Sequence, residues 1–293
     1  MTFTTATHAK YILSGEHCVL REGSAIVFPV PSMELRLLYE AGENSLDFDI
    51  KGNYKDSLVL IFWGVIEQSL RSLGREKHIL KGKITIENNI PLGMGLGFSA
   101  AFCVAITRWF VFLGLVSDAE LISFSTRMED YFHGLSSGVD VLGVMSSKGV
   151  YVLSGNNHSF IDTVWAPRLY LMCSDRLSVT SECVKKVNAI HASQPTVAKE
   201  IDKNMHRAVG LAMEGLRRPG DVGFKNLSEA ICLAQTCFER WGLVPDDVRE
   251  KINFMYKSGA EAVKITGAGD GGFLLGLWRE KPGEALLRNL VAL

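Results

Sequence analysis

Apolar and polar positions change rhythm along this chain. In the first fifty residues they form short runs, Tyr11–Ser14, Ala25–Pro29, Met33–Tyr39 and Leu46–Ile50, broken by Gly, Pro and Asn; this predicts strands joined by turns. From Leu58 to Leu73 the apolar residues recur at helical spacing, and Gly74 marks a C-cap. Lys83–Ile90 alternates as K-I-T-I-E-N-N-I, a half-buried strand, and Phe98–Leu113 is apolar at helical period. Asp118 caps a further helix running to about His133, Gly134 stops it, and Ser136 or Ser137 opens a short one. Gly149–Leu153 reads as a strand.

The second half reads differently. A strand at Leu169–Cys173 precedes three helical segments, about Ser181–Ala192, Thr196–Leu216 and Asp221–Trp241. Pro245 and Asp246 open another helix toward Ser258. Ala262–Thr266 and Gly272–Trp278 are strands around a glycine-rich turn, and Pro282–Leu293 is expected to be a terminal helix with proline near its start. Helices and strands do not alternate regularly, so the fold class is α+β rather than a doubly wound sheet. The boundary is expected near Asp162–Pro167, giving an N-terminal domain of residues 1–164 and a C-terminal domain of residues 165–293.

Composition narrows the partners. With 293 residues, 47% hydrophobic and 22% charged, the chain is ordinary for a globular protein. A net charge of -1 supplies no basic field for nucleic acid or anionic lipid, which leaves a small molecule as the expected partner. The opening MTFTTATHAK has no apolar core of a secretory signal, and the longest apolar stretches, Leu58–Ile66 and Phe110–Val116, fall short of the roughly 20 residues that span a bilayer. Six cysteines (Cys18, Cys103, Cys173, Cys183, Cys232, Cys237) form no CxxC pair and have no histidine at zinc spacing. They read as reduced structural thiols of a cytoplasmic protein.

Four segments carry candidate chemistry. In I-P-L-G-M-G-L-G-F-S-A-A, residues 90–101, Gly93, Gly95 and Gly97 stand between a strand and an apolar helix. Glycines there let the backbone turn tightly and approach a ligand, and the helix start offers unpaired N–H groups to an anion such as a polyphosphate. Ser99 can cap that helix or reach a phosphate-bound Mg²⁺; by spacing alone a plain capped turn fits equally well. In E-D-Y-F-H-G-L-S-S-G-V-D, Gly134 and Gly138 interrupt the chain between Glu129 and Asp140, so both carboxylates can fold back to one cavity. A phosphoryl transferase uses one acid for the metal and one to accept the hydroxyl proton; a solvated helix glutamate and a helix-start aspartate would look the same. K-I-T-G-A-G-D-G-G-F, residues 264–273, is a flexible turn or a second phosphate wall. A-K-Y-I-L-S-G-E-H, residues 9–17, holds Lys10, which alone would pass for a snorkelling lysine, and His17, which alone would pass for a turn histidine.

Together the four resemble the galactokinase–homoserine kinase–mevalonate kinase–phosphomevalonate kinase (GHMP) superfamily, and within it the mevalonate kinases most. The resemblance covers nearly the whole chain. K-Y-I-L-S-G-E-H-C-V-L is similar to K-x-I-L-x-G-E-H-x-V-x, and H-G-L-S-S-G-V-D to H-G-x-x-S-G-x-D. It implies a two-domain fold, an N-terminal domain like ribosomal protein S5 domain 2 and a ferredoxin-like C-terminal domain, with ATP and substrate in the cleft between them. It implies an ATP- and Mg²⁺-dependent kinase for the primary alcohol of mevalonate, and leaves room for a homodimer. The carboxylate of such a substrate would need a polar or basic contact, for which His17 is one candidate.

By the same resemblance, Asp140 matches the catalytic base and Lys10 the lysine that favours the alkoxide. Pro91, Gly93, Gly95, Leu96, Gly97, Ser99 and Ala100 match the ATP-binding loop, and Ser99 and Glu129 the Mg²⁺ ligands. Glu16, His17, Thr180, Gly267 and Ala268 match substrate-contacting positions. Three departures stand out. Phe98 replaces the first serine of G-L-G-S-S-A-A, and Asp270 interrupts G-A-G-G-G-G. Ala234-Gln235 stands where Asn followed by Gln or His is frequent. A carboxylate at Asp270 must point outward or toward a cation, because beside phosphates it would repel them.

Overall fold

A computed structural model describes residues 1–21, 23–52, 55–134, 136–153 and 157–293, so Leu135 of the second segment lies outside the described residues. The chain forms two compact units, neither continuous in sequence. The first comprises residues 1–10, 29–92 and 97–147, the second residues 11–28, 93–96 and 148–293.

In the first unit the sheet is built on the part of β2 (Ser24–Ser45) from Pro29 onward, and β2 runs without interruption where separate short strands were expected. Pro29 and Pro31 lie between its stretch paired at Ser24–Val27 and its stretch paired at Leu35–Glu40, so neither occupies a register position in these two ladders. β4 (Lys81–Asn88) pairs antiparallel with β2, and β3 (Asp47–Gly52) adds in parallel to β4. β1 (Thr2–Ser14) begins nine residues before the expected run. Thr7, a polar residue of the added stretch, is buried because a distant partner, Ala101 O, accepts its hydroxyl at 3.0 Å.

Among the described residues, the helices α1 (Lys55–Ser72), α2 (Phe98–Phe112), α3 (Leu121–His133) and α4 (Val139–Met145) belong to this unit. α2 is apolar on almost every side and is the core helix, as a helix without a polar face must be. Phe62 of α1 stacks on Phe48 of β3 with ring centroids 3.7 Å apart, and Trp109 of α2 meets Tyr39 of β2 at 5.4 Å. Before α3, Ser117 rather than Asp118 is the cap, in a reciprocal capping box with Glu120. The Ser117 and Glu120 side chains are one turn apart and can satisfy each other's backbone, which Asp118, already inside the turn, cannot do.

Among the described residues the second unit contains a sheet of antiparallel strands in the order β10-β7-β9-β8: β7 (Arg168–Cys173), β8 (Ala262–Thr266), β9 (Phe273–Trp278) and β10 (Leu290–Ala292). Helices α6 (Pro195–Arg217) and α7 (Gly220–Arg240) pack on each other, and α7 and α8 (Asp246–Lys257) on β8, with α5 (Thr180–Ser193) against α6. Ile201, Met205, Phe238, Trp241 and Ile265 are in this core. Also in this unit, β5 (Val150–Leu153) pairs with Ser24–Val27 and with the short β6 (His158–Phe160).

The terminal helix expected at Pro282–Leu293 is replaced by a single turn, α9 (Glu284–Leu287), followed by β10. One turn is below the length at which a helix sustains itself, and the backbone instead pairs with Tyr170–Met172 along the edge of β7. Among the described residues no helix is long and apolar enough to cross a membrane.

Trp109 is fully buried between Tyr39 and Phe110. Trp109→Ala is expected to lower the unfolding free energy by about 3–5 kcal/mol, read as a lower denaturant midpoint. A loss under about 1 kcal/mol would mean that this aromatic contact is not central to the core.

Candidate active site

Gly93, Gly95 and Gly97 all take left-handed backbone, with φ of 69°, 75° and 77°. At Gly97 there is a second requirement, because a Cβ would lie 2.8 Å from Cγ of Lys10. Gly97, not Ser99, is the N-cap residue of α2, so Ser99 falls inside the first turn. Its hydroxyl donates to Glu129 Oε1 at 3.4 Å. Phe98 turns inward, 7% exposed, and stacks on Phe102 at 5.9 Å. The hydroxyl lost at that position is thus replaced by core packing one helical turn along.

Past Gly97 runs the stem of Lys10, only 1% exposed, and its Nζ lies 2.9 Å from Asp140 Oδ1. A buried ammonium needs a counter-charge, which excludes the snorkelling reading of this lysine. Asp140 is the second residue of α4, after the left-handed Gly138, and its side chain is 29% exposed. It is therefore both paired and open to a reactant.

Glu129, near the end of α3, is 1% exposed. Its Oε2 accepts the Ser136 hydroxyl at 2.6 Å, while Oε1 faces Ser99. Burial first, then the charge of Asp140, pushes its carboxyl up to about 8, against the pull of Ser136, Lys10 and Ser99. A carboxylate that resists ionisation beside a second carboxylate is a place where a divalent cation is favourable, and Ser99 and Glu129 supply hard oxygen donors suited to Mg²⁺. Sequence reasoning named Ser136 only as one of two possible helix caps, a place that Gly138 takes; the signal for its contact with Glu129 was the doubled serine before Gly138, whose N–H also bonds to the Ser136 hydroxyl.

In the second unit three of the segments meet. Ile12 and Thr266 exchange two hydrogen bonds, Ile12 N to Thr266 Oγ1 at 2.9 Å and Thr266 Oγ1 to Ile12 O at 3.0 Å. Gly95 and Gly267 are in backbone contact: a Cβ on either would lie 3.1 Å from a carbonyl oxygen, that of Thr266 or of Gly95. Leu96 is buried in this unit, and Pro91, half-buried, belongs to the first. Ser178 donates its N–H to Gly93 O (2.9 Å) and its hydroxyl to Gly269 O (2.6 Å), which brings Thr180, the first residue of α5, within two residues of both glycine loops. The carboxylate of Asp270 pairs with Lys186 of α5, the second of the two placements, outward or toward a cation, that the sequence allowed. Gln235 of α7 accepts the Ile265 N–H at 3.1 Å, so the amide ties a helix to the strand before the glycine turn.

Glu16 and His17 are both buried, and Glu16 forms an ion pair with the fully buried Lys264. His17 Nε2 lies 2.7 Å from Ala268 O and its ring meets Trp241 edge-on at 5.0 Å. Because a carbonyl only accepts, Nε2 carries the proton. Burial lowers the ring to about 4, so it is neutral near pH 7 and its Nδ1 is an acceptor. Such a ring suits a substrate hydroxyl and not a carboxylate, which shifts the chemistry expected of His17.

Residues 61–148 match the family described as GHMP kinases N terminal domain. The chain is 27% identical over 286 residues to the mevalonate kinase of Archaeoglobus fulgidus, covering 93% of this chain and 92% of that protein. It is 26% identical to the mevalonate kinase of Thermococcus sibiricus, covering 97% and 91%. Among solved structures, the L. major mevalonate kinase in complex with R-mevalonate superposes with a TM-score of 0.78 at 21% identity, over 96% of this chain and 88% of that one. That likeness shows the two-domain GHMP kinase fold, with an N-terminal domain like ribosomal protein S5 domain 2 and a ferredoxin-like C-terminal domain. With family model, fold and relatives in agreement, the chain is an ATP-dependent alcohol kinase, similar to the GHMP kinases and among them most like the mevalonate kinases.

Proposed function

We infer that the chain transfers the γ-phosphoryl group of ATP to the primary alcohol of mevalonate, giving 5-phosphomevalonate. The observation that carries the mechanism is the Lys10–Asp140 pair, one carboxylate oxygen held 2.9 Å from a buried ammonium beside the start of α2. Asp140 accepts the hydroxyl proton as the oxygen attacks phosphorus in line, and Lys10 offsets the charge left on that oxygen. The backbone of Gly93–Gly97 and the first-turn N–H groups of α2, including Ser99 and Ala100, hold the triphosphate. Ser99 and Glu129 would hold Mg²⁺, which would neutralise phosphate charge.

The mevalonate assignment is supported by the names of the relatives and by the bound R-mevalonate in the L. major enzyme. Glu16, His17, Thr180, Gly267 and Ala268 form the substrate side of this reading. Phosphomevalonate, a sugar or another alcohol would be the alternatives within the superfamily. Phe98 and Asp270, the two features that would suit a non-catalytic binding relative, are accommodated by core packing and by Lys186. A panel of alcohols with coupled detection of ADP release tests the substrate; strongest turnover with a sugar would replace mevalonate.

Asp140→Asn is expected to lower kcat by about 10²–10⁴-fold while nucleotide affinity is kept; a kcat within threefold or so of the unaltered enzyme would remove Asp140 from the base role. Ser99→Ala and Glu129→Gln should each raise the Mg²⁺ concentration for half-maximal velocity, by roughly tenfold for Glu129→Gln. Unchanged metal titrations in both would take the ligand role from them.

For His17 the folded ring, at about 4, lies below its ordinary 6.5. Its neutral form therefore contributes stability above pH 6.5 that is lost as pH falls toward 4. Over that interval the thermal midpoint should fall more steeply for the natural protein than for His17→Gln. Parallel curves would show that the ring is not held neutral by burial.

A further inference from the structure

Lys264 occupies the middle of β8, a strand in which every residue is buried. Its ammonium is fully enclosed, meets the Glu16 carboxylate, donates to Ile12 O at 3.2 Å and lies 5.4 Å over the Phe238 ring. A buried ion pair often stabilises no more than well-packed apolar side chains would, and what it supplies beyond them is direction. It acts on a turn that needs direction. His17, next to Glu16, is one of three non-glycine residues with positive φ, at 60°, among the described residues. Such backbone persists only where its surroundings over-determine it. Besides the bonds within the turn and that of Gly15 N–H to Met205 Sδ at 3.3 Å, two side-chain contacts hold it, Glu16 to Lys264 on one side and His17 Nε2 to Ala268 O on the other. Both anchors belong to one stretch, β8 and the turn that follows it. A Cβ at Gly15 would lie 2.2 Å from Ser24 O, so the turn has no room to settle elsewhere on that side.

We propose that Lys264 is a positioning residue for the alcohol substrate: by gripping Glu16 it holds the Gly15–His17 turn in the shape that presents the His17 ring. This rests on the reading of His17 as a substrate contact, and adds to it a residue that acts through Glu16 rather than on the reactants.

The test compares the full-length natural protein with Lys264→Met and with the charge-balanced double variant Glu16→Gln/Lys264→Met. Lys264→Met leaves a buried carboxylate without its cation and is expected to lower the thermal midpoint. The double variant should recover that midpoint, yet keep an alcohol KM raised by about tenfold with the ATP KM within about twofold. Hydrogen exchange followed by mass spectrometry should show the amides of residues 15–20 exchanging about tenfold faster in the double variant, with α6 unchanged. Recovery of the natural KM together with the midpoint would overturn the proposal, since the pair would then serve stability alone; so would unaltered exchange in the turn. If Lys264→Met does not fold, the double variant decides by the same two criteria. The exchange comparison needs no turnover, so an enzyme that prefers another alcohol would overturn the mevalonate reading while this measurement still judges Lys264, with the KM comparison made on the preferred alcohol.

Discussion

An ammonium group removed from water must be given a counter-charge at a fixed place, and in the first unit that constraint organises the chemistry. Lys10 reaches Asp140 through space kept free by the absence of a side chain at Gly97. The same Gly97 is the cap of α2, so the residue that admits the lysine also sets where the helix starts and where its first amides lie. Asp140 in turn stands at the start of α4 because the left-handed Gly138 turns the chain there. Three local decisions, two by glycine and one by charge, converge on one pair of atoms.

The neighbouring carboxyl shows the opposite environment. Glu129 is buried and lies within the field of Asp140, which raises its proton affinity, while Asp140 is partly open and paired with Lys10. Two acids eleven positions apart in sequence thereby sit in opposite environments, and the proposed division into base and metal ligand rests on that difference. The hydroxyls of Ser99 and Ser136 bracket Glu129 and fix its plane.

The departures from the family pattern follow a similar logic of local compensation. Phe98 adds to the core by stacking on Phe102, and Asp270, in left-handed backbone, turns its charge to Lys186. Neither requires a change at Lys10, Ser99, Glu129 or Asp140. The Glu16–Lys264 pair is a further case in which a buried charge is met by its counter-charge at a fixed place.

Much of this was legible in the residues themselves. Helical periodicity located α2, α6 and α7 to within a few residues, because burial of one face leaves a repeat in the sequence, and the glycine spacing marked a loop that must adopt positive φ. Lys10, Ser99, Glu129 and Asp140 stood out through their motifs. Other features had no local signature. The last residues chose an edge strand over a helix because β7 offered unpaired backbone, and Thr7 could be buried because Ala101 offered a carbonyl. The chemistry of His17 was set by Ala268 and Trp241, and Glu16 found its lysine 248 positions away. Periodicity and glycine geometry act through neighbours in the chain and so are written along it. Burial, ion pairing and the proton affinity they impose depend on which distant residues arrive alongside, and only the folded chain decides that.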